Sequence, residues 1–147
     1  MRHHSGFTLF ETLLVIALIG LLATLAIPFY QSFQTQAQLD SAIAELKQAL
    51  RTAQLETMLG KSNVPHGVHI DAQHFIAYQG TSFSPSDPNN FSTTLAPSLH
   101  ITTSFGADIT FSGRQGTPSQ TGTISIASST ISHTLSINAL GTTGQTN

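Results

Sequence analysis

Glu11 is the residue whose chemistry is hardest to explain by folding alone. It lies in the stretch Gly6-Phe7-Thr8-Leu9-Phe10-Glu11, which opens an apolar run, and no Asp, Glu, Lys or Arg follows it until Asp40. From Leu13 to Tyr30 the only polar side chains are Thr24 and Tyr30. A membrane-spanning helix needs about 20 mainly apolar residues, and this run is long enough. An ionisable group inside such a segment is costly and marks a functional site by default. Ahead of it, Met1 to Gly6 is a short polar leader with one firm positive charge, Arg2. A cleaved secretory signal explains the positive start, but its apolar core is shorter and ends at a small-x-small site, which is missing here. A plain membrane anchor explains the hydropathy but not the Gly-Phe-Thr-Leu-Phe-Glu order.

Other groups that could do chemistry carry weaker signals. His66, His69 and His74 invite a metal reading, but zinc needs three or four ligands converging at about 2 Å. His69 and Asp71 are expected to share the outer face of one strand, with His66 before it and His74 after the turn. This arrangement reads as solvated histidines on strand edges. Asp71, Asp87 and Asp108 invite an acid-pair or calcium reading, but calcium takes six to eight oxygen ligands and the Asp87 loop lacks the glycine and closing glutamate of an EF-hand. Asp87-Pro88-Asn89-Asn90 reads as an Asx turn ahead of a proline. The serines include no Gly-x-Ser-x-Gly elbow, and the chain has neither a P-loop nor a dinucleotide fingerprint. Nothing supports an enzyme, a metal or another cofactor.

Composition narrows the class. Only 8% of the 147 residues are charged, against about 25% in typical domains. Serine and threonine together number 37, so the surface is hydroxyl-rich and nearly uncharged. From Asn63 onward Arg114 is the only Lys or Arg, against Asp71, Asp87 and Asp108. That is no basic footprint for nucleic acid. Without cysteine, neither a disulfide framework nor a thiolate metal site is possible.

The elements that must carry these residues are legible in outline. Phe7 to about Gly60 reads as one long helix. In its second half Leu39, Ile43, Leu46, Leu50 and Ala53 form an apolar stripe, with Lys47, Arg51 and Glu56 off it. Gly60 followed by Lys61-Ser62-Asn63 is a stop signal. Pro28 removes a helix hydrogen bond, so a kink or local unwinding is expected there. Beyond Gly60 the period changes to two. Val68–Ile70 and Phe75–Tyr78 read as a hairpin around Asp71-Ala72-Gln73. Thr81 to Pro97 reads as a surface loop. Further strands are expected at His100–Thr102, Ile109–Phe111, Thr123–Ile126 and His133–Ile137, with Gly113 to Gly122 as a connecting turn. The fold class is α+β, a long N-terminal helix packed on an antiparallel β-sheet. The expected divisions are a leader at 1–6, a transmembrane and assembly helix at 7–30 and its amphipathic half at 31–62. A β-domain at 63–140 and a flexible tail at 141–147 follow.

The opening residues resemble the class III signal of type IV pilins and type II secretion pseudopilins. That resemblance implies cleavage after Gly6 by a prepilin peptidase and N-methylation of Phe7, with Glu11 at the position of the family glutamate. Gly20 and Pro28 stand where many pilins carry a helix-weakening glycine and proline. It further implies that Glu11 pairs with the Phe7 amine of a neighbouring subunit. That amine is protonated near neutral pH, and such a pair sets register in an otherwise apolar seam. Ile109-Thr110-Phe111 with Gly113 and Gly116, Gly122 to Ile126 and Ala139-Leu140-Gly141 resemble the GspH/FimT-like pseudopilin domain. Leu46 to Gln54 resembles that family's motif late in the long helix. Thr142 stands where the family often has arginine, and the chain lacks the disulfide-bounded loop of many major pilins.

The resemblance thus implies a pseudopilin or minor pilin, stored in the inner membrane with its C-terminal domain outside the cytoplasm. It would be handed by an assembly platform into a filament with other pilins or pseudopilins. A major pilin is the alternative within this class. A DNA-uptake pilin is disfavoured, since the tail lacks Arg and Lys. A membrane-anchored sensor or adhesin would not require cleavage after Gly6.

Overall fold

The structure, a computed structural model, describes residues 7–146, and for 25–29 and 146 the backbone only. The chain divides into two compact units, Met1–Thr35 and Gln36–Asn147. Helix α1, Leu9–Met58, runs unbroken through Gly20 and Pro28, so the unwinding expected at Pro28 is not found. Proline's fixed φ fits helical geometry, so the loss of one hydrogen bond and the ring's crowding of the preceding turn do not end the run.

In the first unit, α1 exposes its large apolar residues from Leu9 to Leu22. In the second, the predicted stripe is the buried one: Leu39, Ile43, Leu46, Leu50 and Ala53 all lie within the core. Gly60, in the left-handed conformation at φ 67°, ends the helical run. That conformation costs glycine nothing. A 3-10 turn, Lys61–Asn63, follows.

The second unit carries two antiparallel sheets, where a single one was expected. The first has β1 (His66–Ile70), β2 (His74–Gln79), β3 (Phe91–Thr94), β5 (Asp108–Ser112) and β6 (Thr117–Pro118), in the order β3-β2-β1-β5-β6. The second has β4 (His100–Thr103), β7 (Gly122–Ala127), β8 (Ser132–Ile137) and β9 (Thr143–Thr146), in the order β4-β7-β8-β9. The β1–β2 hairpin forms as predicted, with Val68 opposite Ala77. Three expectations need correction. The proline-rich loop from Thr81 to Pro97 contains β3, paired to β2. The glycine-rich turn from Gly113 to Gly122 contains β6, which pairs Pro118 with Phe111. The tail from Gly141 to Asn147, expected to be flexible, supplies β9, paired to β8 from Thr143 to Thr146.

One core joins these layers. Val68, Ile70, Phe75, Ile109 and Phe111 of the first sheet meet Ile101, Ile124, Ile126, Leu135 and Ile137 of the second across the α1 stripe. Gln54 ties α1 to loops beyond both sheets, donating from Nε2 to Gly116 O at 3.0 Å and to Leu140 O at 2.9 Å. Gly116 permits this approach. Its φ is 62°, and a Cβ there would lie 2.7 Å from Gln54 Cγ and 2.9 Å from Met58 Cγ.

Candidate functional site

At the start of α1, Thr8 precedes the first helical residue, and its Oγ1 accepts a hydrogen bond from Glu11 N at 3.3 Å. Its carbonyl also receives Glu11 N at 3.1 Å and Thr12 N at 3.2 Å. Thr8 is therefore the N-cap and Glu11 the third helical residue, the residue order of a capping box, of which the threonine half is formed. Sequence reasoning missed this role, although its signal, a threonine three residues before a glutamate, was present. A carboxylate in the first turn also complements the helix dipole. Phe7 is 77% exposed and Phe10 75%, and Glu11 is exposed beside them.

Of the remaining predicted site residues, Gly6 lies outside the described residues. Gly20 sits on open helix surface, with nothing within 4 Å of a Cβ built there, so packing does not demand a glycine. Pro28 lies within α1, and its side chain falls outside the description. Among the described residues no helix is long and apolar enough to cross a membrane. The apolar sequence run to Tyr30 takes in 25–29, whose side chains are not described.

The three histidines do not converge, and among the described residues no group of three or more His, Cys, Asp or Glu is placed to hold a metal. His66 is 2% exposed, not solvated as the sequence suggested. Its backbone N–H donates to Thr57 Oγ1 at 3.0 Å, and its Nε2 lies 3.5 Å from Glu56 Oε2. His69 pairs through Nδ1 with Asp108 Oδ1 at 2.8 Å and stacks on Phe83 with ring centroids 4.0 Å apart. Asp71 takes no part, since its carboxylate accepts from Ala72 N at 2.7 Å. Beside this cluster Tyr78 shares a 2.7 Å hydrogen bond with Thr110 Oγ1. Burial pushes the Tyr78 phenol above its usual range, the Thr110 bond opposes that, and the Asp108 carboxylate adds to it. Asp87 Oδ1 accepts from Asn89 N at 2.9 Å, in keeping with the Asx turn.

The cationic residues form no track. Lys47 and Arg51 lie on α1, Lys61 is paired with Glu56, and Arg114 sits in the β5–β6 turn. From Gln31 onward these four face Asp40, Glu45, Glu56, Asp71, Asp87 and Asp108. Non-specific DNA affinity comes from phosphate neutralisation and falls steeply with salt. The fragment from Gln36 carries the whole core and is expected to show no binding to duplex DNA at physiological salt in an anisotropy titration. Salt-sensitive micromolar binding that disappears in Arg114→Ala would contradict this.

Residues 1–27 match the family described as the prokaryotic N-terminal methylation motif. A fimbrial protein of Pseudomonas aeruginosa is 39% identical over 79 residues, 53% of this chain and 51% of that protein. The type IV major fimbrial protein FimA of Dichelobacter nodosus is 46% identical over 55 residues, 37% of this chain and 34% of that one. The chain thus spans about half the length, or less, of these curated relatives. The minor pseudopilin EpsH of the type 2 secretion system of Vibrio cholerae shares the fold. Its TM-score is 0.58 at 19% identity, over 74% of this chain and 96% of EpsH. The match to the methylation motif is confined to residues 1–27, the fimbrial relatives align over about half of this chain or less, and the likeness to EpsH is one of fold.

Proposed function

We propose that this chain is a structural subunit, a pseudopilin or minor pilin, of a type II secretion pseudopilus or a type IV pilus. One observation carries the reading: the methylation motif opens a helix whose apolar surface from Leu9 to Leu22 is exposed. The second unit already has its own core from Leu39 to Ile137. An exposed apolar surface of that extent calls for a partner, either lipid or other helices. In this reading the helix at 7–30 anchors the subunit in the inner membrane, with its C-terminal unit outside the cytoplasm, and then transfers into a bundle of like helices. Prepilin peptidase removes residues 1–6 and methylates Phe7. The assembly platform adds the subunit, and Glu11 meets the Phe7 amine of a neighbour. Gly20 and Pro28 let the helix adapt to its packing. A head-to-tail contact that does not close into a ring builds a helical filament. The role is assembly, not catalysis.

The test is the intact mass of the protein isolated from its native membrane. The expected species lacks Met1 to Gly6 and begins with a methylated Phe7. A mature chain that starts at Met1, or after Ala26, would overturn the reading.

A further inference from the structure

Between α1 and the outer edge of the first sheet lies an open groove of roughly 780 Å³. Its floor is the inner face of β2 and β3, with Phe75 paired to Thr93 and Ala77 to Phe91. Its far wall is the helix from Ser41 to Glu56, a length of about 22 Å at 1.5 Å per residue. A cavity of 160 Å³ continues it at one end, lined in part by Ala42, Phe75, Leu95 and Ala96. Phe91, 72% exposed, stands beside the groove.

The backbone of β3 says what would fill it. Leu95 N donates to Gln73 O, and in an antiparallel pair bonded and non-bonded positions alternate. Thr93 and Phe91 therefore direct their backbone groups to β2, while Ser92 and Thr94 direct N–H and C=O to the open edge. No strand pairs with that edge among the described residues. A further strand laid there would exchange bonds with Ser92 and Thr94. Its alternate side chains would point the same way as Phe91 and Thr93, into the groove beneath α1.

The other sheet edges are less suited. β6 is two residues long and contains Pro118, which cannot donate. Ile101 N of β4 is already bonded to Ala72 O. β9 closes the other sheet, and none of its residues lines this groove.

We infer that the β3 edge and its groove accept an extended segment of a different polypeptide, added as an antiparallel strand. A compact small molecule would make no use of the Ser92 and Thr94 backbone groups, which are exposed along the open edge. The segment is uncharged on its inward face, because Glu56 is paired with Lys61 and the rest of the lining, Glu45 apart, is apolar or neutral. One inward apolar side chain occupies the 160 Å³ cavity. A second copy pairing β3 to β3 about a two-fold axis would run its α1 antiparallel to the first. Subunits of one polar filament run theirs the same way, so excluding the second copy rests on the filament reading proposed above.

The test is a titration of the isolated full chain in detergent micelles with a fluorescent probe peptide, followed by anisotropy against empty micelles. The peptide alternates threonine and valine and carries a lysine at each end. Saturable binding is expected. N-methylation of the amides on one edge of the peptide should abolish it, and methylation of the other edge should leave it within about twofold, a difference of no more than 0.4 kcal/mol. Ser92→Pro removes an edge donor without touching the β2–β3 ladder and should weaken binding at least about tenfold. Ala44→Trp, an exposed helix substitution that fills the groove, should do the same and reports on folding by its own fluorescence. No saturable binding, equal effects of the two methylation patterns, or full binding by Ser92→Pro would overturn the proposal. So would a dimer in sedimentation that Ser92→Pro dissociates, since that assigns the edge to a second copy. None of these outcomes depends on filament assembly, so failure here is distinct from failure of the filament reading.

Discussion

Phe111→Ala should cost the second unit about 3–5 kcal/mol, the range for deleting a buried aromatic ring. The ring is 1% exposed and among the largest fully buried side chains. Its strand, β5, lies between β1 and β6, with Phe111 opposite both His66 and Pro118. Deleting the ring leaves a cavity beside both ladders, and its cost depends on how far the surrounding side chains relax. Domains of this size hold about 5–15 kcal/mol in all, so the variant sits near the edge of folding. Urea denaturation of the fragment from Gln36 should show the midpoint falling with little change in slope. Phe91→Ala is the matched control. Phe91 is 72% exposed, and its truncation should stay within about 0.5 kcal/mol. A loss below about 1 kcal/mol for Phe111→Ala, or similar losses for the two, would mean that the core is not organised around β5.

What could be read in advance follows from the range of the forces involved. The apolar stripe from Leu39 to Ala53 was legible because helical periodicity is local, and the β1–β2 hairpin because alternation and a short turn are local too. Which strands share a sheet is not local. His100–Thr103 and Asp108–Ser112 are adjacent in sequence, yet they belong to different sheets, and no alternation pattern records that. The missed strands are all at or near edges. Phe91-Ser92-Thr93-Thr94 is mostly exposed and sits in a proline-flanked stretch. Thr143-Gly144-Gln145-Thr146 holds no apolar residue, because an edge strand with its outer side open needs backbone partners more than a buried face. Gln54 was read only as part of a motif. Its bonds to Gly116 and Leu140 cross 62 and 86 residues, and they give that motif and the glycines at 116 and 141 a shared physical reason. His66 looked like an edge histidine and is buried instead, because α1 and the turn after it cover the start of β1. At the N-terminus the order of residues around Gly6 carried the processing expectation, while the capping box at Thr8 was present in the sequence and overlooked.

The capping box bears directly on what Glu11 does, and it sharpens the expected result of replacing it. Glu11→Ala should leave membrane insertion intact, since removing a charge eases partitioning, and should strongly impair incorporation into filaments. Alanine, however, removes two things at once: the charge proposed to meet a neighbour's Phe7 amine, and the side chain of the third helical residue. The second loss is small. Thr8 still accepts the backbone N–H at position 11 through its own hydroxyl, and a first-turn carboxylate contributes about 0.3–1 kcal/mol at an exposed helix end. Glu11→Gln separates the two roles. Glutamine serves at this position of a capping box as glutamate does, but it carries no charge to pair with an ammonium group. The register reading therefore expects Glu11→Gln to be as defective in assembly as Glu11→Ala, with helix content and membrane insertion unchanged in both. Thr8→Val should weaken the cap and spare assembly. The measurement is the amount of each variant in sheared filaments relative to its level in the membrane, at matched expression. Assembly restored by Glu11→Gln, or lost in Thr8→Val to the same extent as in Glu11→Ala, would assign Glu11 to shaping its own helix end and remove it from the contact between subunits.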